Sequence, residues 1–356
     1  MITLLDCIHR IPSVIEGIIS REKDAFRAFD AQFSAHADQI DELVLIGSGT
    51  SNTVSLTACP FMEKASGLRV CAVYPNEAVR EDAVLNPHAL YIFISQTGTS
   101  KVVRQGMDRM MEAGFMTVAL TESGETPIAR ASACHVPMNL GPEEYPMRTI
   151  GYTGSVLDLM LLSMHAGLLR GHLTEKVYET YLQEMLRVPA FHKNATEKAA
   201  VWIRAREKKL WDSRCVIFTG AGALYGVAQE ASVKFWEIPY LASFGYELEE
   251  GLHGPNYGYS GEHAVIVLND GRLETEKALA LTRYTKETFG NGYIVGPVTA
   301  AEDDLALPLP GNDFDCLVLS GAVQVMAYFL AEDKGIDTTI PHDHTVMNRY
   351  FETHGK

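Results

Sequence analysis

Apolar residues recur at helical spacing from Ile11 to Phe33, at Ile15, Ile18, Ile19, Phe26 and Phe29, and predict a helical start to the chain. A short apolar run then begins at Leu43 and ends in Gly47-Ser48-Gly49-Thr50-Ser51. A run of that length, closed by glycine, reads as a buried parallel strand. Further strands are predicted at Arg69–Tyr74, Leu90–Ser95, Met116–Thr121 and Cys134–Met138, with helical stretches between most of them. Lys101–Ala113 is one such helix, stopped by Gly114. Pro60 predicts a kink or a restart in the helix after residue 51. Leu157–Leu169 is apolar nearly all round, which predicts a buried or dimer-interface helix.

The second half repeats this layout. Strands are predicted to start near Cys215, Tyr240, Ala264, Gly292 and Leu305, at intervals close to those of the first half. Alternating strands and helices imply parallel sheets covered on both faces, and the matching intervals suggest an internal duplication. The expected organisation is a helical segment over 1–40, a first lobe over 41–174, a polar helical linker over 175–209, and a second lobe with a C-terminal tail over 210–356.

Composition narrows the partners. The 356 residues suit two domains, and 47% hydrophobic residues suffice for two cores. A formal net charge of −15, with no long Lys/Arg run, argues against a nucleic-acid backbone as partner. No apolar run reaches the length of a membrane span, and no signal peptide is apparent, so neither membrane nor secretion is expected. Cys7, Cys59, Cys71, Cys134, Cys215 and Cys316 form no CxxC pair and read as buried free thiols of a cytoplasmic protein.

Parallel α/β sheets bind ligands at the carboxyl ends of their strands. Two loops fall there: 47–51 after the first strand, and Ser95-Gln96-Thr97-Gly98-Thr99-Ser100 after the third. Each offers hydroxyls, glycines and amide groups at a helix start, the donors that a phosphate needs. Read alone, either is also an ordinary capped turn; together they point to phosphate binding. Neither fits GxxxxGK[ST], so a nucleotide P-loop is not expected. The second-lobe loop Thr219-Gly220-Ala221-Gly222-Ala223 has few hydroxyls and reads as a structural turn.

The densest ionisable cluster follows. Glu230, Lys234 and Glu237 recur at helical spacing, so Lys234 can pair with either acid, and a solvated helix face would explain Glu230 and Lys234. Glu247, Glu249, Glu250 and His253 come next, before Gly254-Pro255. A carboxylate and an imidazole meeting in a cleft make an acid/base pair. No metal or other cofactor is expected; His342-Asp343-His344 makes no complete site. No Gly-x-Ser-x-Gly elbow is present.

The stretches Gly-Ser-Gly-Thr-Ser at 47–51, Ile-Ser-Gln-Thr-Gly at 94–98, and Glu237 through His253-Gly254-Pro255 resemble the SIS (sugar isomerase) family. The nearest likenesses are the isomerase half of glucosamine-6-phosphate synthase and the stand-alone fructosamine-6-phosphate deglycases. The resemblance implies two tandem SIS-type three-layer αβα lobes with parallel, flavodoxin-like sheets. It places sugar-phosphate-binding positions on Gly49, Thr50, Ser51, Ser95, Gln96, Thr97 and Ser100, and another ligand hydroxyl on Thr149. It places the carboxylate that moves a proton between C1 and C2 on Glu237, and the ring-opening histidine on His253. In the synthase that histidine serves the other subunit, which implies a homodimer.

The chain departs from the synthase in three ways. It opens Met1-Ile2 without the N-terminal cysteine of a glutaminase domain. The Schiff-base lysine is replaced around Thr345-Val346-Met347. The lysine one turn before the catalytic glutamate falls on or near Trp236, with Lys234 two positions earlier. The resemblance therefore implies action on an amino-substituted sugar 6-phosphate, first as a deglycase. Aminosugar-6-phosphate deaminase, aldose–ketose isomerase and non-catalytic sugar-phosphate sensing are the alternatives.

Overall fold

The computed structural model describes every residue except Met1, Pro341, His342, His344 and Lys356. His342 and His344 of the His-Asp-His stretch thus lie outside the described residues. The chain divides into two compact units that interleave in sequence: Val14–Glu143, Gly154–Leu182 and Pro341–Lys356 make one, and Met1–Ser13, Glu144–Thr153 and Gln183–Ile340 the other.

The first of these holds a parallel sheet of β1 (Glu42–Ile46), β2 (Arg69–Val73), β3 (Ala89–Ile94), β4 (Met116–Thr121) and β5 (His135–Pro137), in the order β2-β1-β3-β4-β5. β3 is buried along its whole length, as a central strand covered on both faces must be. Val44, Ile46, Tyr91 and Phe93 pack on one face against Val103 and Met107 of the helix Lys101–Glu112.

The other unit holds β6 (Cys215–Gly220), β7 (Ser243–Glu247), β8 (His263–Leu268), β9 (Gly292–Gly296) and β10 (Leu305–Ala306), in the order β10-β9-β8-β6-β7. Counted from its own first strand this is the same order as in the first sheet, so the repeat expected from strand spacing extends to topology. Here β6 and β9, the strands on either side of the central β8, are wholly buried.

Several elements differ from the expectation. The N-terminal helical region starts at Leu4 and is broken near Arg21 and Phe26, giving helices Leu4–Ser20, Glu22–Ala25 and Arg27–Ser34. The helix Thr50–Ser66 runs through Pro60 without restarting. β7 begins at Ser243 because Tyr240 takes φ 56°, a left-handed turn conformation that no strand residue adopts. The helix Ile150–Leu169, by contrast, agrees with the first of its two expected readings, being buried by the chain itself over nearly its whole length.

Residues 175–209 are more than a connector. Within them the helix Val188–Arg204 buries Val188, Ala195, Ala199 and Ile203 against the helix Asp315–Asp333. The tail, expected with the second lobe, pairs instead with the first: Ser100 bridges His354, and the Lys101 amide donates to the Thr353 carbonyl at 3.1 Å. Asp315–Asp333 is the one described helix long and apolar enough to cross a membrane, and 94% of that window is buried inside the protein, as in a core helix.

Candidate functional site

In the first sheet the chain moves from β1 outward to β2, then returns to the other side of β1 as β3. That reversal opens a crevice between the carboxyl ends of β1 and β3, where open parallel sheets bind ligands. Ile46 pairs with Phe93 in register, so the loops 47–51 and 95–100 leave the sheet side by side. Gly49 turns the first loop into the helix Thr50–Ser66 with φ 57°. Gly98 turns the second with φ 61°, and a Cβ there would lie 2.3 Å from Thr126.

Several donors in this crevice have no protein acceptor. The backbone N–H groups of Gln96, Thr97, Thr99 and Ser100 donate to no protein acceptor among the described residues, while that of Gly98 is taken by the Ser95 carbonyl. The hydroxyls of Ser51, Ser95 and Ser100 are likewise without protein partners. Thr97 and Thr99 share a 2.9 Å hydroxyl contact, and Thr99 meets His354 of the tail at 3.1 Å. Gln96 gives its side-chain amide to Glu143 at 3.0 Å. Sequence reasoning did not find Glu143, which lies far along the chain from Gln96.

The corresponding turn of the second sheet has the same backbone without the same chemistry. Gly222 opens the helix Ala223–Glu237 at φ 57°, ψ −128°, close to the φ 57°, ψ −126° of Gly49. A Cβ on Gly222 would lie 2.8 Å from Leu273, and the Thr219 hydroxyl is buried without a partner. A structural turn is the reading these contacts favour.

At the far end of that helix, Lys234 is wholly buried between two carboxylates. Its Nζ lies 3.2 Å from Glu230 and 2.6 Å from Glu237. Glu230 is also wholly buried, so the solvated helix face expected for Glu230 and Lys234 is corrected: the acid–base partners satisfy each other away from water. Lys234, at i−3, also occupies the place one turn before Glu237 that was assigned on or near Trp236. Trp236 turns outward and donates its indole N–H to the Ser243 carbonyl. Burial pushes the Lys234 ammonium down, but the carboxylates of Glu230 and Glu237 outweigh it and hold the group above its ordinary value. Glu237 is 40% exposed and reachable.

His253 is exposed, follows the short turn Glu250–Leu252, and meets Glu249 at 2.9 Å. Lys277 lies 2.5 Å from the other oxygen of Glu249 and, together with His253, holds that carboxyl below its usual range. Glu237 and His253 therefore each have a partner of their own, with no hydrogen bond between them. Thr149 stands immediately before the helix Ile150–Leu169, as expected; it is wholly buried, and its carbonyl accepts from Gln324. Among the described residues no cluster of His, Cys, Asp and Glu has the makings of a metal site. All six cysteines are free. Burial pushes every one of their thiols up, so none is a ready thiolate nucleophile.

Residues 38–163 match the SIS domain family. An isomerizing glutamine–fructose-6-phosphate aminotransferase of Tropheryma whipplei is 26% identical over 322 residues, covering 85% of this chain and 51% of that protein. The chain spans about half the length of the curated relatives it matches. The C-terminal domain of glucosamine-fructose-6-phosphate aminotransferase from Francisella tularensis superposes with a TM-score of 0.87 at 19% identity, over 95% of this chain and 97% of that one. Glucosamine-6-phosphate deaminase from Thermotoga maritima does so with a TM-score of 0.69 at 22% identity, over 93% and 98%. These structures share the fold. The match over 38–163 takes in all of the first sheet and the loops 47–51 and 95–100, the stretches on which the resemblance to that family rests in the first lobe.

Proposed function

We propose that the chain is a phosphosugar enzyme that acts on an amino-substituted sugar 6-phosphate, and that its reaction is the deglycation of a fructosamine 6-phosphate. The observation that carries this reading is the set of unsatisfied N–H and O–H donors at the β1/β3 crevice, built for an anion with several oxygens. Gly49, Thr50, Ser51, Ser95, Thr97 and Ser100 supply that phosphate site, with Gln96 beside them. Glu237 is the base: reachable, and fixed in direction by the buried ammonium of Lys234.

In this reading His253 assists opening of the sugar ring. Glu237 removes the C1 proton of the open-chain ketosamine; the C1–H electrons form the C1–C2 double bond while the C2 carbonyl π pair moves onto its oxygen, which takes a proton, giving an enolamine. Return of the proton to C2 leaves an imine at C1. Water adds there, and the C–N bond breaks to give the hexose 6-phosphate and the free amine. Each step needs only a proton carrier and water.

Supporting this reading are the printed names of similar proteins, a fructose-6-phosphate aminotransferase by sequence and a glucosamine-6-phosphate deaminase by fold. A homodimer in which His253 serves the partner's site belongs to the same proposal; light scattering that finds only monomer would remove that part. The reaction is tested by supplying 6-phosphorylated Amadori compounds and measuring released amine and hexose 6-phosphate. Release of ammonia from glucosamine 6-phosphate instead would identify a deaminase, and interconversion of aldose and ketose phosphates an isomerase. Binding without any turnover would leave a sensor.

A further inference from the structure

The Gln96–Glu143 contact gives the β1/β3 crevice a second function besides anion binding. Gln96 Nε2 lies 3.0 Å from Glu143 Oε2. A carboxylate only accepts, so the amide nitrogen of Gln96 must face Glu143, and the flip ambiguity of a lone amide is removed. Gln96 Oε1 has no protein partner and is not sealed in the interior. An amide oriented this way offers its carbonyl oxygen, to which the ionised oxygens of a dianionic sugar phosphate have no proton to give. The neighbouring N–H groups of Thr97, Thr99 and Ser100 are the donors that suit phosphate.

We infer that Glu143 is a positioning residue that turns the Gln96 side chain to accept a hydrogen bond from an O–H or N–H of the sugar, and that the pair thereby reads the sugar rather than its phosphate. This inference rests on the phosphate-site reading of the loops. In Glu143→Gln the new amide can accept or donate, so the Gln96 amide is free to flip and its acceptor is no longer assured.

The test compares two probes, inorganic phosphate and fructose 6-phosphate, by calorimetry on the wild-type chain and on Glu143→Gln, Gln96→Leu and the double variant. Thermal melts accompany each to confirm folding. The expected result is fructose 6-phosphate binding about tenfold weaker in each single variant, the loss of one ligand hydrogen bond. The double variant should be no weaker than Gln96→Leu, and inorganic phosphate should bind alike in the wild-type chain and in Glu143→Gln. Equal weakening of both probes in Glu143→Gln, or no change in either, overturns the inference and leaves the phosphate site standing. Failure of the wild-type chain to bind either probe removes the phosphate site itself, and this inference with it.

Discussion

Lys234 Nζ lies 2.6 Å from Glu237 Oε2, one helical turn away, and its other side is held by Glu230. Removing the ammonium takes from the buried Glu230 the cation that lies 3.2 Å from it. Lys234→Met should cost about 3–5 kcal/mol in urea unfolding, and Glu230→Gln less, because Glu237 still pairs with the lysine. The folded-state value of Lys234 is raised. The stability this pairing contributes is therefore complete below the ordinary lysine value of 10.5 and is lost as pH rises through the higher folded value. Wild type and Lys234→Met should converge in stability only on the alkaline side of that value.

Glu237→Gln keeps the shape and leaves the Lys234–Glu230 pair in place, so the protein should fold. Exchange of the C1 or C2 proton with solvent deuterium should fall by about 10²–10⁴-fold while ligand still binds. A well-folded variant exchanging at the wild-type rate would take Glu237 out of the mechanism.

His253 and Glu237 act on separate steps in the proposed reaction, and they touch different partners in the structure. His253→Ala should slow turnover of the cyclic sugar, with a smaller defect for an analogue that cannot cyclise. Combined with Glu237→Gln it should add less than its single effect. Equal slowing of both substrates would assign His253 another role.

For the crevice, Ser95→Ala with Thr97→Ala should raise KM for a phosphosugar more than it lowers kcat, since phosphate contacts are shared by ground and transition states. Gly98→Ala should be worse for folding than either, by about 2–4 kcal/mol in thermal or urea melts. Its φ of 61° disfavours any side chain, and the added carbon would overlap Thr126.

What could be read from the sequence was whatever is local. β4 was delimited correctly, and β3 within a residue, because continuous apolar runs closed by turn residues have few other readings. The two hydroxyl loops were legible for the same reason. Tyr240 misled because an aromatic residue favours strands, whereas its backbone conformation is fixed by the turn after the helix. Glu230 and Lys234 looked like a solvated face, since charge spacing along a helix does not reveal that both members are buried and satisfy each other. The Glu143–Gln96 contact and the pairing of Lys101 with Thr353 join residues remote in sequence, and no periodicity encodes them.

His192 should make the unit around β6 acid-sensitive. Its ring is wholly buried beneath Gly321, and neither nitrogen has a hydrogen-bond partner. Burial, with a smaller push from His9, drives its value from 6.5 down to about 3. The folded chain thus holds the imidazole neutral while the unfolded chain protonates it. The stability at stake is complete above the ordinary value and is lost progressively as pH falls from about 6.5 toward 3. His192→Leu replaces the ring with an apolar side chain that needs no partner. At pH 7.5 the variant should lie within about 1.5 kcal/mol of wild type. Between pH 6.5 and 4.5 wild type should lose urea resistance faster than the variant, the common loss from carboxylates cancelling in the comparison. Parallel pH profiles would show that His192 stays unprotonated in both states or is reached by water in the folded one, and would place the acid sensitivity elsewhere.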